Sequence, residues 1–321
     1  DGAGGSPLER APRRSPGTIS RRPSLQRSGL LWCIMASMAT RSRSLSTPRP
    51  RPTPVNTETP AAKKRRAQGA DDVLDPRCEE LIASLASMPP VGRAQRFRLS
   101  DAVRHVALAD GRRLEKVVIN CGAPTLYSNV EDTEDVDTFR SLCRIVVGQQ
   151  LAGAAAKTIW ARFVTSLGGD ASLITPEAVL ASDMEALRSS AGLSNAKARS
   201  IFDLAAHYER GDLSDAVLLD PSLSAAELYA KLTAVKGIGP WSAHMYQMFG
   251  LLQPDIFPTG DLGVRNGIKE AFGLRGAGKN GALDEKRDKE KLEAAMAPFA
   301  PYRSLAAWYM WRCADTPSFL E

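Results

Sequence analysis

The residues of this chain that could do chemistry at close spacing begin with Val235-Lys236-Gly237-Ile238-Gly239-Pro240-Trp241. A Gly-apolar-Gly turn lets the backbone adopt positive φ and brings N–H groups close to an anion. Where a helix N-terminus follows at once, such a turn is a phosphate-binding nest. Gly237, Ile238 and Gly239 would present the N–H groups, and Pro240 at the first helical position gives up a donor that the helix does not need. A tight corner between two helices uses the same glycines, so the pattern alone leaves both readings open. Further along, Phe257-Pro258-Thr259-Gly260-Asp261-Leu262 places an acid at the start of a helix. Capping alone would explain Asp261; in a site where positive charge develops, the same carboxylate would stabilise it.

These groups must be positioned by helices. Apolar residues recur at helical spacing near 76–87, 99–109, 136–147, 151–168, 176–181, 183–191, 195–209, 223–235, 240–250, 262–273, 284–297 and 301–313. Thr175 before Pro176, and Ser182 before the Asp183 segment, read as N-caps; Gly192 and Gly211 stand where helices should stop. Alternating patterns are nearly absent, with Lys116 to Cys121 the single short candidate strand. The spacing predicts an all-α body.

With hairpin, Gly/Pro-rich loop and helix-opening Asp in this order, the sequence resembles the helix-hairpin-helix DNA glycosylase superfamily, over roughly Val118 to Arg312. Phe139 to Leu151, with Gly148-Gln149-Gln150, is similar to the family's helix ending in a glutamine-containing turn. Leu187 to Ala198 and the closing segment Phe299 to Trp311 also match, the latter resembling the branch that removes alkylated purines. The resemblance implies two helical subdomains with the active-site cleft between them, within residues 71–321. Two departures refine it. The place where bifunctional members carry a Schiff-base lysine holds Trp241, and an indole cannot form an imine. The chain ends with the solitary Cys313, not the four clustered cysteines of the endonuclease III branch. Both imply a monofunctional enzyme of the 3-methyladenine type, yeast-like; the expected partner is damaged double-stranded DNA, with no cofactor, no metal and a monomeric state.

Roles follow from that resemblance. Asp261 would stabilise an oxocarbenium-like sugar and orient water. Gln150, or else Leu151, would be the wedge that fills the duplex where the nucleotide leaves it. Trp241 and Phe299 would wall the base pocket, leaving Trp308, Tyr309 and Trp311 to packing. Read from the residues alone, Arg303 would hold the last helix through a carboxylate, His244 would be structural or phosphate-side and not an acid/base group, and Asp284 to Lys291 would be a solvated helix face of mixed sign. Two other classes remain: a non-catalytic DNA-binding module using the same hairpin, and a glycosylase for deaminated or mismatched bases.

Composition bounds these readings. The chain has 321 residues, 42 Lys+Arg and 36 Asp+Glu. Residues 1–70 carry 14 of the basic and 3 of the acidic groups, so the tail is +11 and the body −5. Any anion site in the body must come from local placement, not from a global field. The Ser/Pro/Arg-rich tail is predicted to be disordered. Within it Met35 and Met38 could be true starts, Met38 to Arg51 suits an organelle transit peptide, and Lys63-Lys64-Arg65-Arg66 suits nuclear import. We take the nucleus as the expected location, with mitochondrion or plastid as the alternative. Five scattered cysteines argue against a disulfide framework or a thiolate-held metal. No apolar run approaches the length of about 18 residues needed to span a bilayer, so no membrane partner is expected.

Overall fold

The computed structural model describes residues 73–127, 137–151 and 153–320. The predicted disordered tail and its targeting signals lie outside the described residues. Fourteen α-helices follow one another there: α1 Pro76–Leu85, α2 Leu99–Arg112, α3 Glu115–Cys121, α4 Thr138–Gly148, α5 Gly153–Ser166, α6 Pro176–Ala181, α7 Met184–Ala191, α8 Asn195–Glu209, α9 Asp215–Leu218, α10 Ala225–Thr233, α11 Pro240–Met245, α12 Leu262–Phe272, α13 Lys289–Met296 and α14 Arg303–Asp315. Among the described residues the β component is one isolated bridge, Val91 to Phe97, and no helix is long and apolar enough to cross a membrane.

Local chemistry sets most helix starts. Thr175 accepts from Ala178 N and Asp183 from Ala186 N, and Ser224 and Glu227 form a reciprocal capping box at α10. The cap of α7 is thus Asp183, one residue past the expected Ser182, which instead closes α6. The candidate strand Lys116–Cys121 is helical. Leu114, Val117, Val118 and the partly buried Cys121 share one face at helical spacing, and packing of that face overrides the β preference of Val-Val-Ile. The helix expected over 284–297 begins only at Lys289. Nor is the preceding segment simply a solvated face: Asp288 is 2% exposed and accepts from Ala277 N, Asp284 N and Lys291 Nζ.

The helices divide between two cores. α1 to α3 and α12 to α14 enclose one, with Val103, Val118, Val264, Ile268, Leu292 and Tyr309 at its centre. α4 to α10 enclose the other, around Leu142, Val146, Phe163, Ile201, Leu204 and Leu228. The helical segment from Pro240 to Gly250, which ends in a π-turn, joins them: Ala243 and Tyr246 enter the second core, Met245 and Met248 the first. α14 is buried almost all round from Ser304 to Trp311 and is the axial helix of its subdomain. α12 packs against it closely, because a Cβ at Gly267 would lie 1.9 Å from Met310 O.

Candidate active site

Between the subdomains lies a cavity of about 530 Å³, within the range of small-molecule sites. Three segments line it: the turn after α4, the hairpin with the start of α11, and the loop into α12. Asp261, in the last of these, is the one ionisable side chain among the described lining residues.

The loop that delivers Asp261 is braced from both sides. Arg303 Nε and Nη2 donate to the two carboxylate oxygens of Asp255, each at 2.7 Å, and Ser304 Oγ, which accepts from Ile256 N, donates to Gln253 O. Arg303 therefore holds the last helix as expected, and it ties the loop down with it. Arg265 donates from Nη1 to Thr259 O and from Nε to Leu283 O.

Asp261 itself is 4% exposed and caps α12, its Oδ1 accepting from Val264 N at 2.9 Å. The expected capping role is real, and the carboxylate does more. Trp311 Nε1 donates to Oδ1 and Trp241 Nε1 to Oδ2, both at 2.8 Å. Three neutral N–H donors hold one carboxylate without any cation among those partners, so its charge is oriented and not cancelled. Trp311, expected only to pack, is thus a partner of the carboxylate. It reaches Asp261 because Gly263 offers no side chain: a Cβ there would lie 2.7 Å from Trp311 Cδ1 and 3.2 Å from Asp261 Oδ1. Glycines at 263 and 267 permit a close neighbour on that face of α12, but do not say which indole approaches.

Trp241 is half-buried and lines the cavity. Phe299 does not. It is 0% exposed, within the first core, edge-on to Phe272 at 6.4 Å. The expectation of two aromatic pocket walls is corrected to one, because the turn before α14 directs residue 299 into the core. Leu262 instead borders the cavity, 55% exposed.

In the hairpin, Val235 and Ile238 are buried in the second core and anchor the turn. The N–H of Ile238 donates to Val235 O at 3.1 Å and is not available to an external anion. Among the described residues no acceptor meets the N–H of Gly237 or Gly239. Of the three expected donors, two remain. Gly237 has φ +86, and a Cβ on it would meet Ser200 Oγ at 1.8 Å. Gly239 has φ −85 and ψ 179, with nothing within 4 Å of where its Cβ would be.

The turn after α4 carries Gln150 and Leu151. Leu151 N donates to Gly148 O at 3.2 Å, Gln149 has φ −51 and ψ 132, and Gln150 has φ +56. These values describe a type II turn whose third position normally takes glycine. Gln150 is exposed at its tip and Leu151 is half-buried; both line the cavity. Lys197 Nζ donates to Val147 O at the end of α4, where burial lowers its pKa.

His244 stacks obliquely on Tyr229 at 5.2 Å, its Nδ1 is buried without a partner among the described residues, and burial lowers its pKa, in keeping with a neutral structural ring. Among the described residues no group of three or more His, Cys, Asp or Glu is placed to hold a metal ion.

Comparison with known proteins comes down on one family. Residues 143–294 match the HhH-GPD superfamily of base excision DNA repair proteins. The alkylbase DNA glycosidase-like protein mag2 of Schizosaccharomyces pombe is 28% identical over 211 residues, 66% of this chain and 92% of that protein. DNA-3-methyladenine glycosylase 1 of the same yeast is 32% identical over 210 residues, 65% of this chain and 84% of that protein. The solved structure of S. pombe 3-methyladenine DNA glycosylase (Mag1) in complex with abasic DNA aligns with a TM-score of 0.54 and 28% identity, covering 67% of this chain and 97% of that one.

Proposed function

The chain belongs to the HhH-GPD superfamily of base excision DNA repair proteins, and we propose that it is a monofunctional DNA glycosylase that hydrolyses the N-glycosidic bond of alkylated purines such as 3-methyladenine and 7-methylguanine. The observation that carries this reading is the Asp261 carboxylate, held by Trp241, Trp311 and Val264 N–H as the single charge among the described lining residues of the cavity. Cleavage at C1′ passes through an oxocarbenium-like sugar, and a fixed anion beside that carbon stabilises it and orients the attacking water. A purine methylated on a ring nitrogen is already cationic, so it leaves without a general acid. It would also gain about 0.5–2 kcal/mol from the face of Trp241. A lyase step needs an amine, and among the described lining residues there is no lysine.

To reach the cavity the nucleotide must leave the duplex. In this reading the N–H groups of Gly237 and Gly239 hold a backbone phosphate, and Gln150 enters the gap with Leu151 beside it. Double-stranded DNA is the partner, bound by a monomer, and Lys63-Lys64-Arg65-Arg66 supports a nuclear address.

The test is release of free base from methylated duplex by wild type and by Asp261→Asn, with and without alkali. Release that the variant loses, with strands nicked only after alkali, is the expected result. Wild type without release would leave a binding module or a glycosylase for deaminated or mismatched bases, and nicking without alkali would require a lyase nucleophile. Binding to abasic duplex serves as the folding control, because an Asn has one oxygen for three N–H donors and sacrifices about 1–3 kcal/mol of stability as well.

A further inference from the structure

Gln149, beside the exposed wedge candidate, has no role in the mechanism above, yet its side chain crosses between two parts of the proposed DNA surface. Its Nε2 donates to Gly237 O and to Ser242 Oγ, both at 2.9 Å. The first acceptor is in the hairpin and the second, buried, is in α11. Both of Nε2's hydrogens are thereby used, and the link spans 88 and 93 residues of sequence.

The link closes a ring. Gly237 sits directly against Ser200 of α8, with no room for a Cβ. From α8, Lys197 reaches Val147 O at the end of α4, and α4 runs into the turn of Gln149 itself. Hairpin, α8, the end of α4 and the wedge turn therefore constrain one another. The amide suits the position: it donates twice and adds no charge to a cavity whose described lining has only Asp261.

We propose that Gln149 is a positioning residue that locks the wedge turn to the phosphate-binding hairpin, so that Gln150 is held at a fixed distance from the anchored backbone phosphate. The consequence is that hairpin binding alone presents the wedge to the base stack, and discrimination of a distorted site from intact duplex depends on this bridge. The proposal rests on the glycosylase reading of the cavity.

The experiment compares wild type, Gln149→Met and Ser242→Ala on undamaged duplex and on duplex carrying a tetrahydrofuran abasic analogue opposite 2-aminopurine, whose fluorescence rises when insertion unstacks it. Gln149→Met keeps the side-chain volume and removes both donations. It should lose roughly tenfold to a hundredfold of the preference for the abasic duplex, as a small misplacement can, together with the fluorescence rise, while affinity for undamaged duplex falls far less. Ser242→Ala leaves the Gly237 bond and should lose part of both. The double variant should be no worse than Gln149→Met, because the two residues share one interaction.

A wild type that prefers the abasic duplex, with Gln149→Met retaining both the preference and the fluorescence, overturns this proposal alone. So does a parallel fall of melting temperature and of both affinities, which is the mark of a merely structural residue. Should Gln149→Met fail to fold, a Ser242→Ala variant indistinguishable from wild type overturns it instead. A wild type with no preference at all removes the glycosylase reading and this proposal with it.

Discussion

Trp311 Nε1 donates to Asp261 Oδ1 across 2.8 Å, joining the axial helix of one subdomain to the carboxylate at the head of α12, fifty residues earlier in the chain. The contact makes a residue of the packed core a support of the site. Trp311→Phe keeps the stacking on Phe249, which is nearly parallel at 5.8 Å, but removes the donor. Base release should fall roughly tenfold to a hundredfold through loss of carboxylate orientation, and stability by about 2 kcal/mol, as for a hydrogen bond to a charged group. Single-turnover kinetics with thermal melts would separate the two; unchanged release would mean that Trp241 and Val264 N–H suffice.

Two glycines of the site should respond in opposite ways to the same added methyl group. Gly263→Ala pushes on Trp311 Cδ1 at 2.7 Å, an overpacking that costs about 1–3 kcal/mol, and it should lower base release with it. Gly239 has a backbone conformation open to any residue and no neighbour for a Cβ. Gly239→Ala should gain about 0.4–1 kcal/mol from a less flexible unfolded chain and lose DNA affinity, because the methyl stands where a phosphate would approach the N–H groups. Melting and duplex binding measured side by side check both, and a Gly239→Ala variant with full affinity would deny the hairpin its phosphate.

Gln150 holds φ +56, a conformation that disfavours a side chain by about 1–2 kcal/mol. Gln150→Gly should therefore fold at least as stably as wild type and yet lose excision from duplex. Excision from single-stranded methylated DNA, where there is no gap to fill, should be reduced far less. Equal losses on both substrates would reassign the wedge to Leu151 or remove it.

Asp288 braces the loop before α13. The backbone N–H groups of Asp284 and Ala277, with the Lys291 ammonium, lower its pKa to about 2. A carboxylate whose pKa is depressed on folding stabilises the protein above its ordinary pKa of about 4 and loses that contribution as the pH falls towards the folded value. Asp288→Asn should thus melt earlier than wild type at pH 7, with the gap closing between pH 4 and pH 2. A gap that does not vary with pH would assign the effect to packing.

Local chemistry made much of this molecule readable in the one-dimensional chain. Apolar spacing and capping residues located most of the helices, because both act within one or two turns. Gly237 and Gly239 marked the hairpin, and the segment opening at Asp261 marked the start of α12. Two expectations give way to tertiary packing. Lys116–Cys121 is helical because of what its buried face meets, and Phe299 leaves the pocket because the turn before α14 directs it inwards. A third gives way to the turn itself, in which the amide of Ile238 closes on Val235 O three residues earlier. The partners that complete the site come from distant parts of the chain: Trp311 reaches Asp261 through the space left by Gly263, and Gln149 reaches Gly237 and Ser242. A motif specifies which groups the backbone presents. Which side chains cross between elements to orient those groups depends on how closely the helices pack, and that is decided only when both cores are closed.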